Sequence, residues 1–329
     1  MFTKKKTTRA NVRAVVVLTL LAILVGITTA HARRFSDWSE PDNLGPVINS
    51  ASNDQQPAIS KNRLSLYFTS NRPGGLGGFD IYVSQRESVN HPWGSPVNLG
   101  PVLNTASNEG NPAFSRDGHV LFFQSDRPGG LGLLDIWVSR RCRKNDDFGW
   151  QPAVNLGAGV NSAFGDNAPS YFDSDDDGVP QLYFSSNRPG LGGLDIYVSE
   201  QTPDGSFGPA VLVTELSSSG ADSEPSIRRD GLEIFLHSDR SGTTGATDLW
   251  VSKRESTTDA WSIPVNLGNT INTVFFEQNP YLSFNGKTLF FASDRLGGSG
   301  GLDLYMIKRS KHRDGTHRDR NDDNDDEDN

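Results

Sequence analysis

One stretch of sequence recurs five times in this chain, and a repeat of this length limits the fold more than any other feature. TSNRPGGLGGFDIYVS ends at Ser84, QSDRPGGLGLLDIWVS at Ser139 and SSNRPGLGGLDIYVS at Ser199. Two looser copies follow, HSDRSGTTGATDLWVS to Ser252 and ASDRLGGSGGLDLYMI to Ile307. Their aspartates, Asp80, Asp135, Asp195, Asp248 and Asp303, are spaced by 55, 60, 53 and 55 residues. Two further markers keep step. One is a Trp- or Phe-led segment starting at Trp38, Trp93, Trp150, Phe207 and Trp261. The other is an acid three residues before a proline, at Asp54, Glu109, Asp166, Asp222 and Glu277.

Each unit reads as four strands. The first follows the acid-x-x-Pro marker. A tight turn comes next, with Asp117-Gly118, Asp230-Gly231 or Asn285-Gly286 in three units, a strong hairpin signal. The second strand (LSLYFTS, VLFFQS, QLYFSS, EIFLHS, TLFFAS) is apolar enough to be covered on both faces. A Gly-rich loop leads to the third strand, and the Trp-led segment is the expected fourth. A four-stranded sheet with two open faces buries them by stacking on copies of itself, and a ring of copies leaves no free end. The predicted fold is therefore all-β, a single propeller of five four-stranded blades. The chain enters with a fourth-strand segment, Trp38 to Leu44, and its last unit ends on a third strand, so the N-terminal strand is expected to complete the last blade.

These markers, together with the S-D/N-R after an aromatic strand and the D-I-Y/W beyond it, resemble the PD40 repeats of TolB-type propellers, which are WD40-like. The resemblance covers roughly residues 38 to 308. The amino-terminal α/β domain of TolB has no counterpart here. The resemblance implies a periplasmic or secreted propeller that acts mainly as a binding platform.

Outside the repeats, residues 1–13 carry five basic and no acidic side chains, and an apolar run from Ala14 to Thr28 ends near Ala30-His31-Ala32. This reads as a secretory signal peptide over residues 1–32, with the propeller at 33–309 and a charged, disordered tail at 310–329. No membrane span is expected after cleavage. Removing the signal shifts the net charge from -9 to -14, which argues against nucleic acid as a partner. A lone cysteine, Cys142, rules out an intramolecular disulfide and is expected to be buried or inert.

Two groups of residues are candidates for a site. The first is repeat-symmetric: Asp54, Glu109, Asp166, Asp222 and Glu277 with Arg72, Arg127, Arg188, Arg240 and Arg295. These are expected to meet on one face of the disc, chiefly as pins for the Gly-rich loops and alternatively as a ring of binding sites. The second breaks the symmetry. In the third unit the hairpin becomes DSDDDGVPQ, and Asp173, Asp175 and Asp177 with Gln181 resemble half of a calcium loop. A structural calcium ion is the one cofactor considered. No nucleophile-elbow, metalloprotease or Walker motif occurs, and His91, His119 and His237 fall at different places in their units. The expectation is an exported, monomeric, non-catalytic platform with a protein partner at its face. A glycan-binding ring or a glycoside hydrolase is the alternative.

Overall fold

The computed structural model describes residues 35–173 and 178–312. The expected signal segment, most of the acidic hairpin and the tail beyond His312 lie outside them. Twenty strands form five four-stranded antiparallel sheets. Blade one is β2 (Asp54–Ile59), β3 (Ser65–Ser70), β4 (Asp80–Gln85) and β5 (Val97–Asn98). Blade two is β6 (Glu109–Phe114), β7 (Val120–Ser125), β8 (Asp135–Arg140) and β9 (Val154–Asn155). Blade three is β10 (Asp166–Phe172), β11 (Gln181–Ser186), β12 (Asp195–Glu200) and β13 (Val211–Leu212). Blade four is β14 (Asp222–Ile227), β15 (Glu233–Ser238), β16 (Asp248–Lys253) and β17 (Val265–Asn266). Blade five is β18 (Glu277–Leu282), β19 (Thr288–Ser293) and β20 (Asp303–Lys308), and its fourth strand is β1 (Asp42–Asn43). The five-bladed propeller and its closure by the N-terminal strand are as the repeats imply. No described helix is long and apolar enough to cross a membrane.

Closure is by side chain as much as by strand. Asp42 and Asn43 pair with Met306 and Tyr305. The buried Asn49 accepts the Leu304 N–H at 2.8 Å and donates to the Leu304 carbonyl at 3.1 Å, across the join between the two ends of the ring. Asn104, Asn161 and Asn272 do the same for Ile81, Ile136 and Leu249.

The core is divided among the interfaces between blades. Five clusters of buried side chains each draw on two neighbouring blades, for example Tyr67 and Ile81 with Phe114 and Trp150. The second strands supply most of it, and all six residues of β3 are buried. The close fit explains one glycine of each Gly-rich loop. A Cβ on Gly77 would lie 1.7 Å from the Ser107 carbonyl oxygen of the next blade, and one on Gly132 would lie 1.9 Å from that of Phe164.

The fourth strands differ from expectation. Only two residues pair in each, and the Trp ahead of them leaves the sheet to fill the corner between blades on the hairpin side. Arg86, Arg141, Arg254 and Arg309 lie 4.1, 4.3, 4.2 and 4.3 Å from the rings of Trp93, Trp150, Trp261 and Trp38. Each stands two positions beyond the last residue of its repeated motif. Blade three places Gln201 and Phe207 there instead. Cys142, expected to be buried or inert, is exposed in the loop after β8.

Candidate functional site

The repeat-symmetric residues come together as five buried pairs. Arg72 donates to Asp54 at 2.6 Å, Arg127 lies 3.2 Å from Glu109 and Arg295 donates to Glu277 at 3.0 Å. Arg188 with Asp166 and Arg240 with Asp222 complete the set. The carboxylate side chains have no exposure. Each guanidinium also donates to a main-chain carbonyl (Ile48, Leu103, Val160, Leu216, Ile271) and to the serine ending the second strand. The carboxylates are further occupied, Asp54 by the Ser50 N–H and hydroxyl and Glu109 by Thr105. Each pair thus ties the start of an inner strand to the loop leaving the second strand, and apart from Asp222 Oδ2, which is buried without a partner, its hydrogen-bonding groups are spent on that tie.

The Gly-rich loops are pinned by the other repeated acid. Asp80 accepts the main-chain N–H of Leu76 and Gly77 and the side-chain amide of Asn98. Asp135, Asp248 and Asp303 repeat the arrangement.

Of the expected calcium ligands, Asp175 and Asp177 lie outside the described residues. Gln181 has its side-chain oxygen engaged by the Tyr183 hydroxyl at 3.2 Å and its amide 3.3 Å from Glu200. Among the described residues no three His, Cys, Asp or Glu side chains gather as for a metal ion.

The asymmetric feature lies on the axis. Every inner strand carries a β-bulge at the residue before its proline, and that residue takes a positive φ: Gln56 (53°), Asn111 (49°), Ala168 (52°), Glu224 (57°) and Asn279 (57°). A non-glycine residue there is uncommon, and five in register form a ring that lines the channel. Below it Tyr281 reaches across from blade five, its hydroxyl bonded to the Phe114 main chain of blade two, and plugs the channel.

Among the described residues lining this ring, Glu224 is the one carboxylate. Asn279 donates to it from blade five, and Asn111 donates from blade two at 3.3 Å. The His237 Nδ1 of the neighbouring β15 is 3.0 Å from Glu224 Oε2. Burial pushes the Glu224 carboxyl up, but His237 and the amides of Asn279 and Asn111 outweigh it and hold the group below its ordinary 4.5. Ser185 Oγ accepts the Glu224 N–H at 2.8 Å, which fixes the bulge. Ala168 leaves the blade-three sector of the ring without a polar side chain. The ring is a short array of hydrogen-bonding groups around one ionised carboxylate. Its signal in the sequence is the residue before each proline.

No protein-family profile matches the chain, and no curated protein sequence matches it. Many solved structures do. The α-L-arabinofuranosidase from Lactobacillus brevis is 13% identical with a TM-score of 0.56, over 83% of this chain and 94% of that one. The α-L-arabinofuranosidase from Podospora anserina, solved in complex with cellotriose, is 12% identical with a TM-score of 0.54, over 83% and 97%. A thermostable family-43 glycoside hydrolase is 13% identical with a TM-score of 0.56, over 83% and 94%. At these identities the likeness is one of fold.

The solved propellers on which this chain superposes are glycosidases, which runs against the expected non-catalytic protein platform and the expectation of no enzyme. The repeat-symmetric acids are tied up in pairs, and the carboxylate that breaks the symmetry on the axis is Glu224.

Proposed function

We propose that this exported chain acts on glycans as a glycoside hydrolase, holding a saccharide over the axial ring of the loop face. The observation that carries the proposal is Glu224, a single ionised carboxylate at the centre of a five-bladed propeller, ringed by amides. Fixed amide donors and one carboxylate suit a polyhydroxyl ligand, whose hydroxyls both donate and accept. Support comes from fold-mates that are arabinofuranosidases, one of them solved with cellotriose.

The roles follow from the geometry. Glu224, held below the usual carboxyl range, is the group that accepts a proton from an attacking water. Asn111 and Asn279 orient it. Glycoside cleavage ordinarily uses two carboxyl groups roughly 5–10 Å apart. His237, 3.0 Å from Glu224, stands far closer than that, so it holds the carboxylate in place, and the departing sugar oxygen takes its proton from solvent.

The test is incubation of the protein with arabinan, arabinoxylan and xylo- and cello-oligosaccharides, reading both retention and new reducing ends. Cleavage that is lost in Glu224→Gln supports the proposal. Retention without cleavage would remove its hydrolytic half. Neither retention nor cleavage would remove it altogether.

A further inference from the structure

We propose that the corner between blades five and one, on the hairpin side, is a second binding site, for an acidic oligosaccharide whose carboxylates meet Arg86, Lys287 and Lys308. The proposal rests on the glycan-directed function above and adds a site away from Glu224.

The corner holds a cavity of about 670 Å³. Ligand pockets run from roughly 300 to 1,000 Å³. Arg86 lies over Trp93 here as Arg141 lies over Trp150, so charge, not packing, sets this corner apart. Arg63 and Arg86 of blade one and Lys287, Lys308 and Arg309 of blade five line the cavity, and Asp37 is the one acid among the lining residues. This excess of cations stands against a net charge of -9 for the whole chain. The hollow on the other side of Arg86 and Trp93 carries Glu87 beside Lys144. The cavity between blades two and three sets Asp117 and Asp173 against Lys61, Arg116 and Arg140. Both are closer to balance.

Arg86 lacks the acid that its counterparts meet. Arg141 donates to Asp147 at 3.0 Å, Arg309 is paired with Glu233, and Arg254 shares the surroundings of Tyr183 with Glu200. Glu233 opens the second strand of blade four, whereas Thr288 opens that of blade five, so the strand facing Arg86 brings no carboxylate. The Arg86 Nε donates to the Arg63 carbonyl at 2.9 Å, and its terminal nitrogens have no hydrogen-bond partner among the described residues. Burial and the neighbouring Arg63 charge hold the half-buried guanidinium below its ordinary pKa. An incoming carboxylate relieves both effects. Lys287 and Lys308 form no ion pair among the described residues. Arg63 itself takes a φ of 62° at the turn position that Gly118, Gly231 and Gly286 hold in other blades. Glycine adopts that conformation without strain, and what arginine adds there is a cation lining the cavity. Cations from two blades around a cavity of this size suit a ligand with several carboxylates, such as a short chain of uronic acids.

Calorimetry of the full chain with trigalacturonate, with xylotriose as the neutral probe and with inorganic phosphate as the bare anion, reads the site. Trigalacturonate is expected to bind at least about tenfold more tightly than xylotriose, and less tightly as salt is raised. Arg86→Gln is expected to weaken it about tenfold or more. Lys287→Gln combined with Lys308→Gln, which leaves the packing on Trp93 untouched, is expected to do the same and decides the matter should Arg86→Gln fail to fold. Preference for xylotriose, no binding of any probe, or trigalacturonate binding that neither variant weakens would overturn the proposal. Displacement of trigalacturonate by phosphate at equal concentration would show a site for any small anion and overturn the saccharide assignment. Glu224→Gln separates the two sites and is expected to leave trigalacturonate binding unchanged. Loss of binding in that variant would assign the sugar to the axis and overturn the corner. Wild-type protein that binds trigalacturonate at the corner but cleaves no glycan would overturn the axial reading alone.

Discussion

His237 Nδ1 lies 3.0 Å from Glu224 Oε2, joining the second strand of blade four to the bulge of its inner strand. The four other blades place Thr69, Gln124, Ser185 and Ala292 where His237 stands, and Gln56, Asn111, Ala168 and Asn279 where Glu224 stands. Blade four, whose repeat is the most divergent, thus carries the only titratable pair at this level among the described residues.

That pair links stability to pH. Glu224 is held below its ordinary 4.5, and so is Glu233, buried beneath Arg309 and Arg228. A carboxyl whose folded pKa is depressed binds fewer protons folded than unfolded. Its stabilisation is full above pH 4.5 and is lost as pH falls through the folded value. Melting temperatures taken from pH 7 down to pH 3 are expected to fall most steeply below 4.5, and Glu224→Gln to flatten part of that fall. A melting temperature independent of pH over this range would contradict the assignment.

The blade-one to blade-two corner holds a buried ion pair, with Arg141 and Asp147 side chains each 1% exposed and the Tyr67 hydroxyl donating to Asp147 at 2.9 Å. Removing one partner leaves the other charge buried. Asp147→Asn is expected to lose about 3–5 kcal/mol in denaturant unfolding. The apolar double substitution Arg141→Met with Asp147→Leu is expected to recover much of the loss. Equal loss in single and double variants would show that the packing, not the charge, is what the corner requires.

Two glycines separate steric fit from backbone conformation. Gly132→Ala drives a Cβ against the Phe164 and Ser162 carbonyls of blade three, where main chain must move. Its cost is expected to be about 1–3 kcal/mol or more. Gly100 has φ +77° but open space around it, so Gly100→Ala meets only the left-handed conformation and is expected to cost about 1 kcal/mol. Thermal unfolding of the two variants side by side checks the order.

Ring closure depends on one buried amide. Asn49→Ala strands the N–H of Leu304, while the Leu304 carbonyl keeps the Leu44 N–H at 3.0 Å. A loss of about 1–3 kcal/mol is expected for the buried N–H left unpaired. Protection of the Leu304 amide against hydrogen exchange is expected to fall with it. Unchanged protection would mean that β1 pairing alone holds the ring.

The architecture was legible because it is written five times. The apolar second strands, the Asp-Gly turns and the phase of the first and last units specify blades, register and closure. Where blade one lacks the turn glycine, Arg63 takes the positive φ, 62°, that Gly118, Gly231 and Gly286 take elsewhere. The site was harder to read for the same reason. The residues that repeat, Asp54, Arg72 and their copies, hold loops. Glu224 and His237 are conspicuous only by departing from the pattern, and their contact depends on a bulge that alternation along a strand does not reveal.

The axial carboxylate is tested most directly by reducing-end release from arabinan and arabinoxylan with wild-type protein and with Glu224→Gln, both verified as folded. The account expects cleavage by the wild type and a fall of about a hundredfold or more in the variant, the scale of a lost general base. Equal cleavage by both, or none by the wild type on any glycan that it retains, would contradict it.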